Sequence, residues 1–237
     1  TLVADVEAIY RGFIAELNPF KASVIGGNVT KTEHAMFVDI TLVGEVEQGR
    51  MARRSGARAG DAILVTGYPG ESAAGLHLLL SAQSTEDLSK HPLVKAYNTP
   101  SHRAREGEAI AQSGYATAMI DTSDGFLGDL GHICKESGVG ATLILEKLPM
   151  REVLRGAAAQ MNRDPFDLVL QESDDYELII TCPADNVDGI RSAVAAVSEV
   201  SVAEVGRVTE AVHGIKLIQP DGTARAVTPD GWDHFIE

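Results

Sequence analysis

Cysteine is scarce in this chain. Two of its 237 residues, Cys134 and Cys182, are cysteines. Both sit in apolar patterns, without metal-ligand or redox-motif spacing. That argues against a disulfide framework or a thiolate metal site. Two reduced, buried thiols are expected, as in a cytoplasmic protein. Positive charge is also short: 20 Lys and Arg stand against 34 Asp and Glu, a formal net charge of −14. Non-specific binding to nucleic acid or to an anionic membrane is therefore disfavoured. A phosphorylated ligand stays compatible, because a bound divalent cation reverses the local sign. There is no apolar run of membrane-spanning length, no signal peptide, no internal repeat and no low-complexity tract. The chain opens at Thr1 without an initiator Met, so a fragment or a processed form is expected.

The apolar periodicity that is present alternates between helix and strand. Residues 2–17 carry Val3, Val6, Ile9, Tyr10, Phe13, Ile14 and Leu17 at helical spacing, and Asn18-Pro19 ends that helix. Short strands are expected over Ala22–Ile25 and Met36–Val43. Between the two, Gly26-Gly27-Asn28-Val29-Thr30 is either a ligand-approaching turn or an ordinary hairpin turn. Gly49–Gly60 is a basic loop, with Arg50, Arg53, Arg54 and Arg58. Asp61–Gly67 reads as a buried strand, followed by a helix over Leu76–Leu80, a surface loop over 82–100 and a helix over Ser101–Ser113. Further strands fall at Ala141–Leu145, Leu178–Cys182, Val200–Val208 and Ile215–Ile218. Helices fall at Val153–Met161, from Asp164, and at Asp185–Val197, and Asp221-Gly222 marks a hairpin turn. The fold class is α/β, with mixed sheets flanked by helices.

Three stretches carry candidate chemistry. In Ala116–Gly131 a short apolar strand runs into Asp121-Thr122-Ser123-Asp124-Gly125, and a helix then begins. Two carboxylates at a strand–helix junction suit a magnesium ion that bridges to phosphate oxygens. The alternative is that Ser123 or Asp124 caps the helix and Asp121 is a turn residue. Gly70–Gly75 follows a strand with glycines and small residues, the layout of a phosphate-cradling turn, but it lacks the Lys-Ser/Thr pair of a Walker A loop. There Glu71 or Ser72 is an alternative N-cap. Glu172-Ser173-Asp174-Asp175-Tyr176-Glu177 brings four carboxylates to the start of a buried strand, where a solvated charge cluster is the competing reading. The single Trp, Trp232, is either core or a stacking platform.

Taken in order, Gly26–Thr30, Arg53–Asp61, Gly70–Gly75, Asp121–Gly125, Asp174–Leu178 and Gly231-Trp232-Asp233-His234-Phe235 resemble the thiamine-monophosphate kinases of the aminoimidazole-ribonucleotide synthetase superfamily. The resemblance covers essentially the whole chain. It implies ATP-dependent phosphorylation of thiamine monophosphate to thiamine diphosphate, several Mg²⁺ ions held by aspartates, and a homodimer whose N-terminal domains share a β-barrel. It also implies a division at 1–48, the remainder of an ATP-binding and dimerisation domain, and 49–237, a C-terminal α/β domain.

Carried over by motif, Gly27, Asn28, Arg54 and Ser123 are implied ATP contacts. Asn28, Asp121 and Asp124 are implied metal ligands, the two aspartates being catalytic through the metal, and Asp174 and Trp232 are implied substrate contacts. His102, His132 and His234 are expected to be structural. The chain departs from the family pattern at Asn28, where the family turn carries Asp. It departs again at Glu172-Ser173, where the family carries two glycines, and at its start, which falls within the family's N-terminal domain. Two alternatives to the kinase are a relative that only binds nucleotide or thiamine phosphate, and a superfamily enzyme with another acceptor.

Overall fold

The structure is a computed structural model and describes residues 3–81, 88–171 and 173–229. It divides into two units, residues 1–45 and residues 46–237.

The first unit holds helix α1 (Val3–Leu17), which runs into a short 3-10 turn at Asn18–Phe20. Tyr10 and Phe13 pack edge to face at 5.9 Å. The strands expected at Ala22–Ile25 and Met36–Val43 are not formed, and without them Gly26–Thr30 is no hairpin turn. A strand needs a ladder partner for its N–H and C=O groups, and none is present among the described residues of this unit. The apolar residues meant for those strands are exposed instead, with Phe37 at 80% and Val43 at 84%.

The second unit is built on one seven-stranded sheet. Its strands are β1 (Ala62–Thr66), β2 (Ala118–Asp121), β3 (Val139–Ile144), β4 (Leu178–Cys182), β5 (Val202–Glu210), β6 (Ile215–Ile218) and β7 (Ala224–Val227). The spatial order is β2-β4-β1-β5-β3-β6-β7. Every neighbouring pair is antiparallel except β3–β6.

Helices cover both faces, which explains why β1 reads as an unbroken apolar run. Ile63 and Val65 point into one core with Phe126, Leu130, Leu154 and Leu168. Ala62 and Leu64 point into the other, with Ile110, Ile180, Ile190 and Val194. Each fully buried aliphatic side chain of this kind contributes about 1.5–3 kcal/mol.

The helices are α2 (Glu71–Ser81), α3 (Pro92–Asn98), α4 (Ala104–Ser113), α5 (Phe126–Ser137), α6 (Glu152–Gln160), α7 (Pro165–Leu170) and α8 (Val187–Ala195). Two depart from the expectation. α2 starts at Glu71 rather than Leu76, and α3 lies within the segment read as a surface loop. Pro92 starts α3, and the His91 side chain accepts the Leu93 N–H at 3.3 Å. Leu93 and Val94 are buried. Two apolar residues in a polar stretch are too few to show helical periodicity. α3 also explains the small residues of α2: a Cβ on Gly75 would lie 2.0 Å from the Leu93 carbonyl oxygen.

Candidate active site

The pairing of β2 with β4 builds the site. These strands are antiparallel, with Asp121 opposite Leu178. The turn that leaves β2 therefore lies beside the turn that enters β4, and the two acidic stretches meet at one end of the sheet. β1 runs antiparallel to β4 on its other side, with Val65 opposite Ile179, so the turn after β1 reaches the same end.

Hydrogen bonds extend this pairing beyond the strands. Thr122 donates its N–H to the Glu177 carbonyl at 2.7 Å and accepts the Tyr176 N–H on its own carbonyl at 2.9 Å. Its hydroxyl accepts the Glu177 N–H at 3.0 Å. Tyr176 is held at φ 54°, a left-handed conformation that strains a residue with a side chain.

The phenol of Tyr176 reports what surrounds it. Burial raises its pKa, and the negative charges of Asp174, Asp121 and Asp124 raise it further. Asp121, Asp124 and Asp174 thus lie near enough to this phenol for their charges to act on it. Asp174 is exposed, and Asp121, Ser123 and Asp124 are half-buried.

Asp175 and Glu177, the other described acids of the second stretch, are committed internally. Asp175 accepts the Gly70 N–H at 2.5 Å and the Ser72 N–H at 2.9 Å, and it is also bonded to the Ser173 hydroxyl. The turn read as a phosphate cradle is therefore filled by a carboxylate of the chain itself. Burial pushes Asp175 up to about 6 against the pull of these donors. Glu71 is no cap either: it is buried and paired with Arg151. Glu177 accepts Arg103 Nε at 2.7 Å, Arg103 Nη2 at 2.6 Å and the Thr66 hydroxyl at 2.6 Å.

Neither Ser123 nor Asp124 caps α5. Its N-cap is Gly125, at φ 103°, with no side-chain bond. The turn is instead held by Asp129, whose Oδ2 accepts the Ser123 N–H at 3.0 Å and the Asp124 N–H at 3.1 Å. Burial first, then the charges of Asp124 and Asp121, push Asp129 up to about 6 despite those two bonds. Asp124, Asp129 and His132 each offer a ligand atom within 4.8 Å of the others. His132 is exposed beside these acids.

Arg54 is exposed in the loop before β1. That loop is fastened along β2, where Met119 donates its N–H to the Arg53 carbonyl at 2.8 Å. The Gly56 and Ala57 N–H groups are held by Ser137 Oγ at the end of α5. Gly27 and Asn28 lie in the first unit, exposed, with Gly27 under the Tyr10 hydroxyl. Trp232, His234 and Glu172 lie outside the described residues.

Reading by motif passed over Asp129 and Arg103. Asp129 did carry a signal, since it is a carboxylate on the apolar stripe of Phe126, Leu130 and Ile133. Arg103 carried none.

The family model described as "AIR synthase related protein, C-terminal domain" matches residues 58–217. The thiamine-monophosphate kinase of Aquifex aeolicus is 33% identical over 233 residues, covering 98% of this chain and 70% of the relative. That of Salmonella typhimurium is 35% identical over 236 residues, covering 97% of this chain and 69% of the relative. Among solved structures, "AaThiL complexed with AMPPCP and TMP" superposes with a TM-score of 0.77 at 29% identity, over 99% of this chain and 70% of that one. The hydrogenase maturation protein HypE of E. coli shares the fold at a TM-score of 0.62 and 18% identity. No helix among the described residues is long and apolar enough to cross a membrane. On the match to residues 58–217 and on the identity across nearly its whole length, the chain belongs to the thiamine-monophosphate kinase family of AIR synthase related proteins.

Proposed function

We propose that this protein transfers the terminal phosphoryl group of ATP to thiamine monophosphate, giving thiamine diphosphate. The observation that carries the reading is that the turn bearing Asp121 and Asp124 and the turn bearing Asp174 are bonded side by side at one end of the sheet. The chain that does this is similar across nearly its whole length to thiamine-monophosphate kinases, and a related structure carries an ATP analogue together with TMP. Phosphoryl transfer asks for positioning and charge neutralisation rather than a covalent partner.

The donor set fits a hard divalent cation. Asp121 and Asp124 offer carboxylate oxygens, the ligands such an ion takes. Asp121 and Asp124 would hold Mg²⁺, which when bound neutralises charge on the transferring phosphoryl group. Gly27, Asn28, Arg54 and Ser123 would hold ATP, with Arg54 giving the phosphates a planar fork of donors. Asp174 and Trp232 would orient the acceptor, the indole by stacking on one of its rings. Residues 1–48 would be the remainder of an ATP-binding and dimerisation domain, and 49–237 the C-terminal domain, in a cytoplasmic homodimer.

The test is ADP formation by the purified protein with ATP and Mg²⁺, with and without thiamine monophosphate. Turnover should require the acceptor and disappear in EDTA. Asp121→Asn and Asp124→Asn should each lower it more than about 100-fold, since changes outside the ligand shell alone cost about 10–100-fold. ADP formation indifferent to the acceptor would overturn the assignment.

A further inference from the structure

We propose that Glu177 is a positioning residue, which locks the turn bearing Asp174 to the turn bearing Asp121 and Asp124, with Arg103 holding it in place. The inference rests on the phosphoryl-transfer reading above. Both main-chain groups of Glu177 are bonded to Thr122, N–H to hydroxyl at 3.0 Å and carbonyl to N–H at 2.7 Å. Its side chain turns the other way, into the protein. Oε2 accepts from Thr66 and from Arg103 Nε, and Oε1 accepts from Arg103 Nη2. Thr66 Oγ1 in turn accepts the Leu178 N–H at 2.8 Å. One residue thereby ties together the end of β1, the start of α4 and both acidic turns.

The surroundings are shaped around this carboxylate. A Cβ on Gly67, at φ 56°, would lie 1.9 Å from Glu177 Oε1. Glu177 is 5% exposed, and both its carboxylate oxygens are engaged by Arg103 and Thr66. Burial works against the Arg103 charge, but the hydrogen bond and charge of Glu177 outweigh it, and the Arg103 pKa is raised.

A buried ion pair is poor value as a stabiliser, since well-packed apolar residues of similar volume often serve as well or better. What the planar fork supplies is direction. Here the direction set is that of Glu177, and with it the left-handed Tyr176 beside it and Asp174 beyond.

The experiment separates positioning from stability. The double variant Arg103→Met/Glu177→Met replaces the pair by apolar side chains of similar length. It should keep a thermal midpoint close to wild type, yet raise KM for thiamine monophosphate about 10-fold and weaken Mn²⁺ binding in the presence of ATP, read by electron paramagnetic resonance, by about the same factor. A purely structural role predicts that restored stability restores both. If the double variant fails to fold, Arg103→Lys decides: it keeps the charge and loses the fork, and it should fold while KM for the acceptor still rises. An unchanged KM in whichever of these variants folds overturns the inference. Wild-type protein that neither binds Mn²⁺ with ATP nor turns over overturns the phosphoryl-transfer reading, and this inference with it. Active wild type beside an unimpaired variant overturns the inference alone.

Discussion

Asp129→Asn and Asp129→Ala remove the same charge and should shift stability in opposite directions. Asp129 is 1% exposed and uses one oxygen, Oδ2, for both of its backbone bonds, to Ser123 and Asp124. An asparagine can place its single carbonyl oxygen there and keep both. It also removes the cost of burying a carboxylate among Asp121 and Asp124, the cost that pushes Asp129 up to about 6. A shift of that size corresponds to about 3 kcal/mol at most, and screening at the open side of the turn reduces it to about 1–2 kcal/mol.

The sign follows from linkage. The folded pKa lies above the unfolded value, so the folded state takes up a proton as pH falls from about 6 towards 3.8. Wild-type stability gains over that window, and Asp129→Asn does not share the gain. Urea unfolding in metal-free buffer should therefore find Asp129→Asn more stable than wild type at pH 8, with the gap closing by pH 4.5. Asp129→Ala strands two N–H groups and should be less stable than wild type by about 1–3 kcal/mol at pH 5. A gap between wild type and Asp129→Asn that does not change with pH, or an Asp129→Asn that is weaker at pH 8, would refute the reasoning.

Other outcomes follow from the same end of the sheet. Gly67→Ala meets a left-handed φ and the Glu177 carboxylate together; backbone strain alone costs about 1–3 kcal/mol, and thermal unfolding should show a loss at least that large. Asp175→Ala leaves the Gly70 and Ser72 N–H groups without their acceptor. It should cost about 1–3 kcal/mol in urea unfolding and speed amide exchange at the start of α2. Arg54→Ala leaves every backbone bond of its loop in place, so the thermal midpoint should hold while KM for ATP rises. A fall in stability with unchanged KM would assign Arg54 to the fold instead.

Local order was legible where a segment's own pattern decides its state. β1, α4, β2, α5 and β4 follow from apolar spacing and turn chemistry, because each presents one face or one unbroken run to a core; α1 follows from its spacing and its Asn18-Pro19 stop, although none of its residues is buried. The acidic stretches at Asp121–Asp124 and Asp174–Glu177 stand out by composition alone. Where packing decides, the sequence was mute or misleading. The apolar residues of Ala22–Ile25 and Met36–Val43 have the composition of strands, but a strand exists only with a partner. α3 rests on two buried residues, and the small residues of α2 serve its approach rather than a phosphate.

The division of labour among the acids is likewise a tertiary outcome. By sequence, Asp174, Asp175 and Glu177 are three equivalent carboxylates before a strand. Antiparallel pairing with β1 and β2 turns Asp175 towards Gly70 and Ser72, turns Glu177 towards Arg103 and Thr66, and leaves Asp174 open beside Asp121 and Asp124. Residue type and local spacing determined that carboxylates would gather at strand ends. Which of them are consumed in holding the fold depended on which backbone donors and cations the other strands bring within hydrogen-bonding reach. That is set by contacts between residues far apart in the chain, and no local pattern encodes it.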